Sequence, residues 1–324
     1  MTSALKLSGV VKRFGNHVAV NDISFEVPRG VVYGILGPNG AGKSTTLRMI
    51  NDIIAPDAGT ITVLDTLTPG SAAAQKIGYL PEERGLYPKM KVGEIVEFMG
   101  ELRGLSRAEA RKRGGEWLER LGLSKWLGNK VQDLSKGMQQ KVQFVTALLH
   151  EPDIVILDEP WSGLDPVNAD VLRDTVSQIR AAGRTVLFST HQMEQAEKIV
   201  DSLCIIARGE LLLEGKLREI KAHWSADNWI ALAFDGAEAK AKAKPVIENL
   251  ALVGGERPTS LTDRVDIEVK PAADVTPQQI LSALVTAGVA LRTFEVVVPS
   301  LHDIFVAKVG PDAAIAERVE EGAA

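Results

Sequence analysis

One octapeptide, Gly37-Pro38-Asn39-Gly40-Ala41-Gly42-Lys43-Ser44, limits the folds open to this chain more than any other stretch of it. It follows an apolar run at residues 31–36 that reads as a short buried strand, and a helix-compatible run continues to residue 50. Strand, glycine turn and helix form the start of a βαβ unit. Glycines let the backbone wrap closely and aim N–H groups at phosphate oxygens from the head of a helix. The expected phosphate contacts are Gly37, Pro38, Asn39, Gly40, Ala41, Gly42, Lys43, Ser44 and Thr45. Lys43 serves as a point charge on the outer phosphates and the Ser44 hydroxyl as a ligand for Mg²⁺. By itself the loop specifies a nucleoside triphosphate and nothing narrower.

Two further apolar runs, residues 154–157 and 185–189, are short and show no alternation, which suits a parallel sheet covered on both faces. The first runs directly into Asp158-Glu159-Pro160. Carboxylates at the carboxyl end of a parallel strand face the crevice in which such sheets bind ligands. Asp158 is then expected to hold Mg²⁺, usually through water, and Glu159 to polarise the attacking water as general base. An ordinary strand end with two solvated acids is the plainer alternative.

Around these motifs, residues 5–27 alternate like an antiparallel β region, and residues 92–127 read as a mostly helical insertion. Its apolar positions Ile95, Phe98, Leu102 and Leu105 follow helical spacing, while the charged run at residues 107–113 reads as a solvated helix face. Residues 216–227 look like a domain boundary. The pattern then resets, with strands at 229–234, 265–269 and 291–298 and helices at 276–287 and 299–309. That is a small α+β domain of ferredoxin-like character. The expected divisions are residues 1–222, with a helical subdomain at about 90–140, then 223–310, then a tail at 311–324 that is helical or loose.

Composition excludes several classes. The chain has 324 residues, 45% hydrophobic and 24% charged, which supports a sizeable core. A net charge of −5 argues against a general nucleic-acid binder. No apolar run approaches the ~20 residues needed to cross a bilayer, and the first nine residues lack a secretory pattern. The single cysteine, Cys204, sits in an apolar run as a small hydrophobe. A cytoplasmic protein is expected.

A phosphate loop with an acidic strand end also suits kinases, small GTPases and recombination ATPases. The segment Leu134-Ser135-Lys136-Gly137-Met138-Gln139-Gln140-Lys141 narrows the choice, because it resembles the Leu-Ser-Gly-Gly-Gln signature of ABC ATPases. Ser162-Gly163-Leu164-Asp165 looks like that family's D-loop, and His191 matches its switch histidine, which contacts the γ-phosphate. Phe14, in Arg13-Phe14-Gly15, matches the aromatic that stacks on adenine, although a core role in the β region also fits it. The resemblance covers roughly residues 5–217. It implies an α/β P-loop NTPase, with a RecA-like parallel sheet, an antiparallel β subdomain and a helical insertion, joined to the small C-terminal α+β domain.

The resemblance implies further that ATP and Mg²⁺ are the cofactors, and that Glu159, His191 and Lys43 carry hydrolysis. Nucleotide would lie on Phe14, the loop from Gly37 to Thr45, Glu82, Ser135 and Gly137, with Ser44, Asp158 and Glu82 around the metal. Two copies, or one copy and a paralogue, would meet head to tail, so that Ser135 and Gly137 of one cover the ATP held by the other. Transmembrane permease subunits would be the partners, at the cytoplasmic face of the membrane, with no nucleic acid involved. The sequence departs from the family at Glu82, where glutamine is usual, and at Lys136 and Met138 within the signature. The region ending in residues 298–305 resembles the accessory domain of bacterial sodium-, drug- or antibiotic-efflux ATPases. It suits a packing or dimerisation module as well as a regulatory one. His302-Asp303 reads as helix capping rather than a metal site. The alternative, a soluble ABC ATPase of nucleic-acid repair or translation, would typically show coiled-coil insertions, zinc cysteines or fused halves, and none is visible.

Overall fold

The computed structural model of the chain describes residues 2–83, 85–225, 229–249, 251–257 and 265–309. The 311–324 tail lies outside the described residues. Two compact units are present, residues 2–217 with 305–309, and residues 218–304.

In chain order the first unit begins with β1 (Ser3–Phe14), β2 (His17–Pro28), β3 (Val32–Leu36), α1 (Lys43–Ile50), β4 (Ala58–Val63), α2 (Ser71–Ala74) and β5 (Ile77–Leu80). It continues through α3 (Val92–Leu102), α4 (Arg107–Arg120), α5 (Lys136–Leu148), β6 (Ile154–Asp158) and α6 (Pro166–Ala181). β7 (Thr185–Thr190), α7 (Met193–Glu197), β8 (Ser202–Ala207) and β9 (Glu210–Lys216) follow. Strands β2-β1-β4 form an antiparallel sheet, and a second sheet runs β5-β6-β7-β3-β8-β9, parallel except for β9 at its edge. Every residue of β3, β6, β7 and β8 is buried. This is why those strands read as unbroken apolar runs rather than alternating ones. One core joins the two sheets, with Leu5, Val10, Val20 and Ile23 packed with Ile35, Leu47, Ile50, Ile154, Ile156 and Leu187.

The helical insertion differs from its expected stripe. α3 stops at Leu102, which is 62% exposed, and Leu105 falls beyond it. Gly104 takes φ +84°, a left-handed conformation that ends a helix. Glu97 is the buried polar member of α3, and Arg107 and Arg111 of α4 reach it through Nε at 2.5 and 2.6 Å. The charged face of α4 is thus solvated and also tied to its neighbour. Among the described residues no helix is long and apolar enough to cross a membrane.

The stretch expected as a boundary holds a helix, α8 (Leu217–Trp224). The second unit then runs β10 (Ile230–Phe234), α9 (Gly236–Ile247), β11 (Val253–Arg257), β12 (Ile267–Pro271), α10 (Pro277–Thr286) and β13 (Leu291–Val296); the last helix, α11 (Leu301–Val309), begins in this unit and its residues 305–309 belong to the first. Its antiparallel sheet has the order β11-β12-β10-β13, the ferredoxin-like βαββαβ arrangement. Ile230, Leu232, Ala243, Val269, Ile280 and Leu284 form its core. The sequence reading missed α9 and β11 for identifiable reasons. α9 mixes Ala and Lys with an internal Pro245, so its buried face is only Ala239 and Ala243. β11 carries Gly254-Gly255, a weak strand signal. At α11, Ser300 N donates to Asp303 Oδ2 at 2.9 Å and Asp303 N donates to Ser300 Oγ at 3.1 Å. Asp303 is therefore a capping residue.

Candidate nucleotide site

The site begins where β3 ends. Gly37 takes φ +148°, and a Cβ there would lie 1.9 Å from the Ile206 carbonyl oxygen of β8. Gly42 takes φ +102°, and its Cβ would lie 2.3 Å from Ala19 O. Only glycine fits either position. Gly42 is also the N-cap of α1 and supplies no side-chain hydrogen bond to it. The first N–H groups of the helix are left to an outside acceptor, and the positive end of the helix dipole faces the same way. Lys43, 5% exposed, folds over the turn and donates to Gly37 O at 2.7 Å and Pro38 O at 2.9 Å. Burial holds its ammonium below the usual lysine range, opposed by the nearby Glu159 charge.

The acidic pair is set by β6 and its neighbour β7. Asp158 ends β6, paired in register with Ser189. Its Oδ1 accepts hydrogen bonds from Ser44 Oγ at 3.0 Å and Ser189 Oγ at 2.5 Å. Burial raises its carboxyl above the ordinary range in spite of both hydroxyls. Glu159 turns the chain with φ +46°, a left-handed conformation uncommon for a residue with a side chain. Its Oε1 accepts from His191 N and His191 Nδ1, each at 3.0 Å, and lies 3.5 Å from Lys43 Nζ. Its Oε2 accepts from Thr190 Oγ1 at 3.0 Å. Burial pushes the Glu159 carboxyl up, but the His191 hydrogen bond and the Lys43 charge outweigh it, and the net direction is down. Adjacent residues thus have carboxyls displaced in opposite directions.

A cleft of about 400 Å³ brings Phe14, Asn39, Gly40, Ala41, Gly42, Lys43, Ser44, Thr45, Glu82 and Glu159 together, with His17 and Ala19. Phe14 and His17 face each other across the β1–β2 hairpin, and Phe14 is 50% exposed. It is not a core residue. Glu82 follows β5, and burial together with the Asp158 and Glu159 charges raises its carboxyl. The structure keeps Ser135 and Gly137 out of this cleft. Ser135 caps α5, its Oγ accepting from Met138 N at 3.3 Å. A Cβ on Gly137 would meet Leu164 Cδ2 at 3.3 Å and Asn168 Nδ2 at 3.5 Å, so the signature packs beside the 162–165 turn.

The residues present fit a nucleotide with a hard cation. The uncapped helix start and Lys43 offer donors and charge for phosphate, and the Ser44 hydroxyl touches the Asp158 carboxylate, a pair of oxygen donors. Among the described residues no cluster of three or more His, Cys, Asp and Glu could hold a metal alone.

Sequence reasoning gave no role of their own to Ser189, Thr190, His17, Gln140 and Gln143. Ser189 and Thr190 stand directly before His191, a polar pair closing an apolar strand, and that break in the run was the available signal. The two glutamines are polar positions on the inner face of α5, 9% and 6% exposed.

Comparison with known proteins agrees with this geometry. Residues 20–162 match the model of the ABC transporter family, and residues 215–309 match the C-terminal domain of DrrA1-3-like ATP-binding proteins. The ABC transporter ATP-binding protein YhaQ of Bacillus subtilis is 39% identical over 306 residues, covering 94% of this chain and 98% of YhaQ. The linearmycin resistance ATP-binding protein LnrL of Bacillus subtilis is 34% identical, covering 93% of this chain and 97% of LnrL. A dimeric post-hydrolysis structure of the ATP-binding cassette MJ0796, bound to ADP and Pi, superposes with a TM-score of 0.61 at 27% identity, covering 66% of this chain and 99% of MJ0796. The chain belongs to the ABC transporter ATP-binding proteins. It is the ATP-binding, ATP-hydrolysing subunit of a transporter, and the alternative role outside transport finds no support among these relatives.

Proposed function

We propose that this chain powers an exporter, and that two copies, or one copy and a paralogue, close over two ATP molecules. The carrying observation is that the cleft lined by Phe14, Lys43, Glu82 and Glu159 does not include Ser135 or Gly137. Each copy then offers half a site, and its exposed Ser135 helix end is free to meet nucleotide held by a neighbour. Phe14 stacks on the base, the Gly37–Thr45 loop and Lys43 hold the phosphates, and Ser44, Asp158 and Glu82 hold Mg²⁺. Mg²⁺ supplies charge neutralisation between the outer phosphates. Glu159, kept ionised by His191 and Lys43, accepts the proton of the attacking water, and His191 bridges that carboxylate to the γ-phosphate.

Hydrolysis replaces contacts to one γ-phosphate with separated charges, and the halves part. That cycle moves transmembrane permease subunits, on which the chain sits peripherally at the cytoplasmic face. The linearmycin resistance named for LnrL and the DrrA-like C-terminal match support export as the direction. Residues 1–222 form the ATPase domain and 223–310 an accessory domain.

The test is association. Glu159→Gln protein with Mg-ATP, followed by sedimentation, is expected to run as a dimer and to return to monomer when ATP is replaced by ADP. A protein that stays monomeric with Mg-ATP, also beside its membrane partner, overturns the shared site.

A further inference from the structure

Gln143 lies on α5, its amide turned inward beneath the loop that carries Glu82. Its Nε2 donates to Pro81 O at 3.4 Å and to Glu83 O at 3.1 Å. The two carbonyls flank Glu82, so a single amide holds the backbone on both sides of that carboxylate. Three residues earlier on the same helix, Gln140 Nε2 donates at 2.5 Å to the carbonyl oxygen of Pro160, the residue that follows Glu159. Residues three apart share a helix face, and here that face carries one amide for each acidic loop of the cleft. A polar cavity of about 560 Å³ opens between Gln140, Gln143, Glu82, Glu159 and Ser162. The loops therefore lean on hydrogen bonds from α5 rather than on continuous apolar packing. The head of this helix is Ser135.

We propose that Gln143, assisted by Gln140, is a positioning residue that ties the backbone beside Glu82 and Glu159 to the helix headed by Ser135. A displacement of α5 then moves both carboxylates together. This rests on the proposed shared ATPase site. Engagement of the Ser135 helix end by nucleotide on a second copy is thereby transmitted to the carboxylates of the copy's own cleft. The device uses donors specifically. Methionine matches glutamine in length and donates nothing, and glutamate would turn an acceptor toward two carbonyls.

The experiment compares full-length wild type, Gln143→Met and Gln143→Glu by ATP affinity and by hydrolysis rate against ATP concentration. The expected result is kcat lowered about tenfold or more with a loss of ATP affinity of about threefold at most, because Glu159 is used only in the reaction whereas Glu82 also holds Mg²⁺. The rate should also lose steepness in ATP concentration. Adding Glu82→Ala should make the double variant no slower than the slower single variant, since both act at one loop. Unchanged kcat, losses that multiply in the double variant, or failure of both variants to fold each overturn the proposal. Active wild type with unaffected variants overturns the positioning role alone. Inactive wild type beside its membrane partner overturns the ATPase reading and the proposal with it.

Discussion

Asp158 and Glu159 are neighbours in the chain, yet their carboxylates are held by separate sets of partners. Asp158 is gripped by the hydroxyls of Ser44 and Ser189, Glu159 by Thr190, His191 and Lys43. The left-handed turn at Glu159 separates the two side chains. Hydroxyls leave burial dominant at Asp158, whereas a cation and an imidazole keep Glu159 charged. Two acids side by side can then serve as metal ligand and base.

Glu159→Gln should preserve nucleotide binding and lower turnover by at least about 10², the usual contribution of a positioned base. The amide oxygen can still accept from His191 N and Nδ1, and the Thr190 hydroxyl can turn to accept from the amide NH2, so the cleft keeps its shape. Steady-state hydrolysis measured free of contaminating ATPases checks this, and an undiminished rate would remove Glu159 from the base role.

Lys43→Ala should act earlier, on binding itself. Removing a charged donor to phosphate weakens affinity by about 10–100-fold, from the strength of charge-assisted hydrogen bonds. Equilibrium binding of a fluorescent ATP analogue measures it, and unchanged affinity would place the phosphates elsewhere.

Two glycines of one loop should respond differently to alanine. Gly37 and Gly40 both have positive φ, so each substitution carries a conformational cost of about 1–2 kcal/mol. At Gly40 nothing lies within 4 Å of the new Cβ, but at Gly37 the Ile206 carbonyl is 1.9 Å away. Gly37→Ala should therefore lose a further ~1–3 kcal/mol through overpacking. Urea unfolding of both variants decides the matter, and equal losses would refute the close approach.

Acid should weaken the fold partly through His150. Burial and the nearby Arg103 charge lower its pKa from 6.5 to about 4. Its Nε2 lies 3.1 Å from Ile77 O, and Nδ1 is buried without a hydrogen bond. Between about 6.5 and about 4 the unfolded chain takes up a proton that the folded chain refuses, so stability falls as pH drops through that window. His150→Gln should lose less stability than wild type between pH ~7 and ~5, by urea midpoints at each pH. Identical losses would assign the acid sensitivity elsewhere.

Much of the site was legible because its parts are local. The Gly37–Ser44 turn follows from sterics within eight residues, and Asp158-Glu159 from an apolar strand ending in two acids. Phe14 was ambiguous in sequence because an aromatic in a β hairpin fits core or surface equally, and its exposure decided between them. Leu105 falls past the end of α3, and helical spacing does not show where a helix stops. α9 and β11 carried too weak a pattern to be seen.

The sequence alone determined the phosphate-wrapping turn, the buried strands and the order of motifs, since each depends on short-range sterics and on which residues avoid water. Tertiary structure decided which motifs meet. Ser44 and Asp158 stand 114 residues apart and touch because β3, β7 and β6 lie side by side in parallel. Their carboxyl ends therefore open on one edge. Ser135, nearer to Asp158 in sequence than Ser44 is, heads a helix whose place is set by packing beside residues 162–168, outside the cleft. Strand order and helix seating come from burying whole faces at once, a sum over distant residues that no single motif contains.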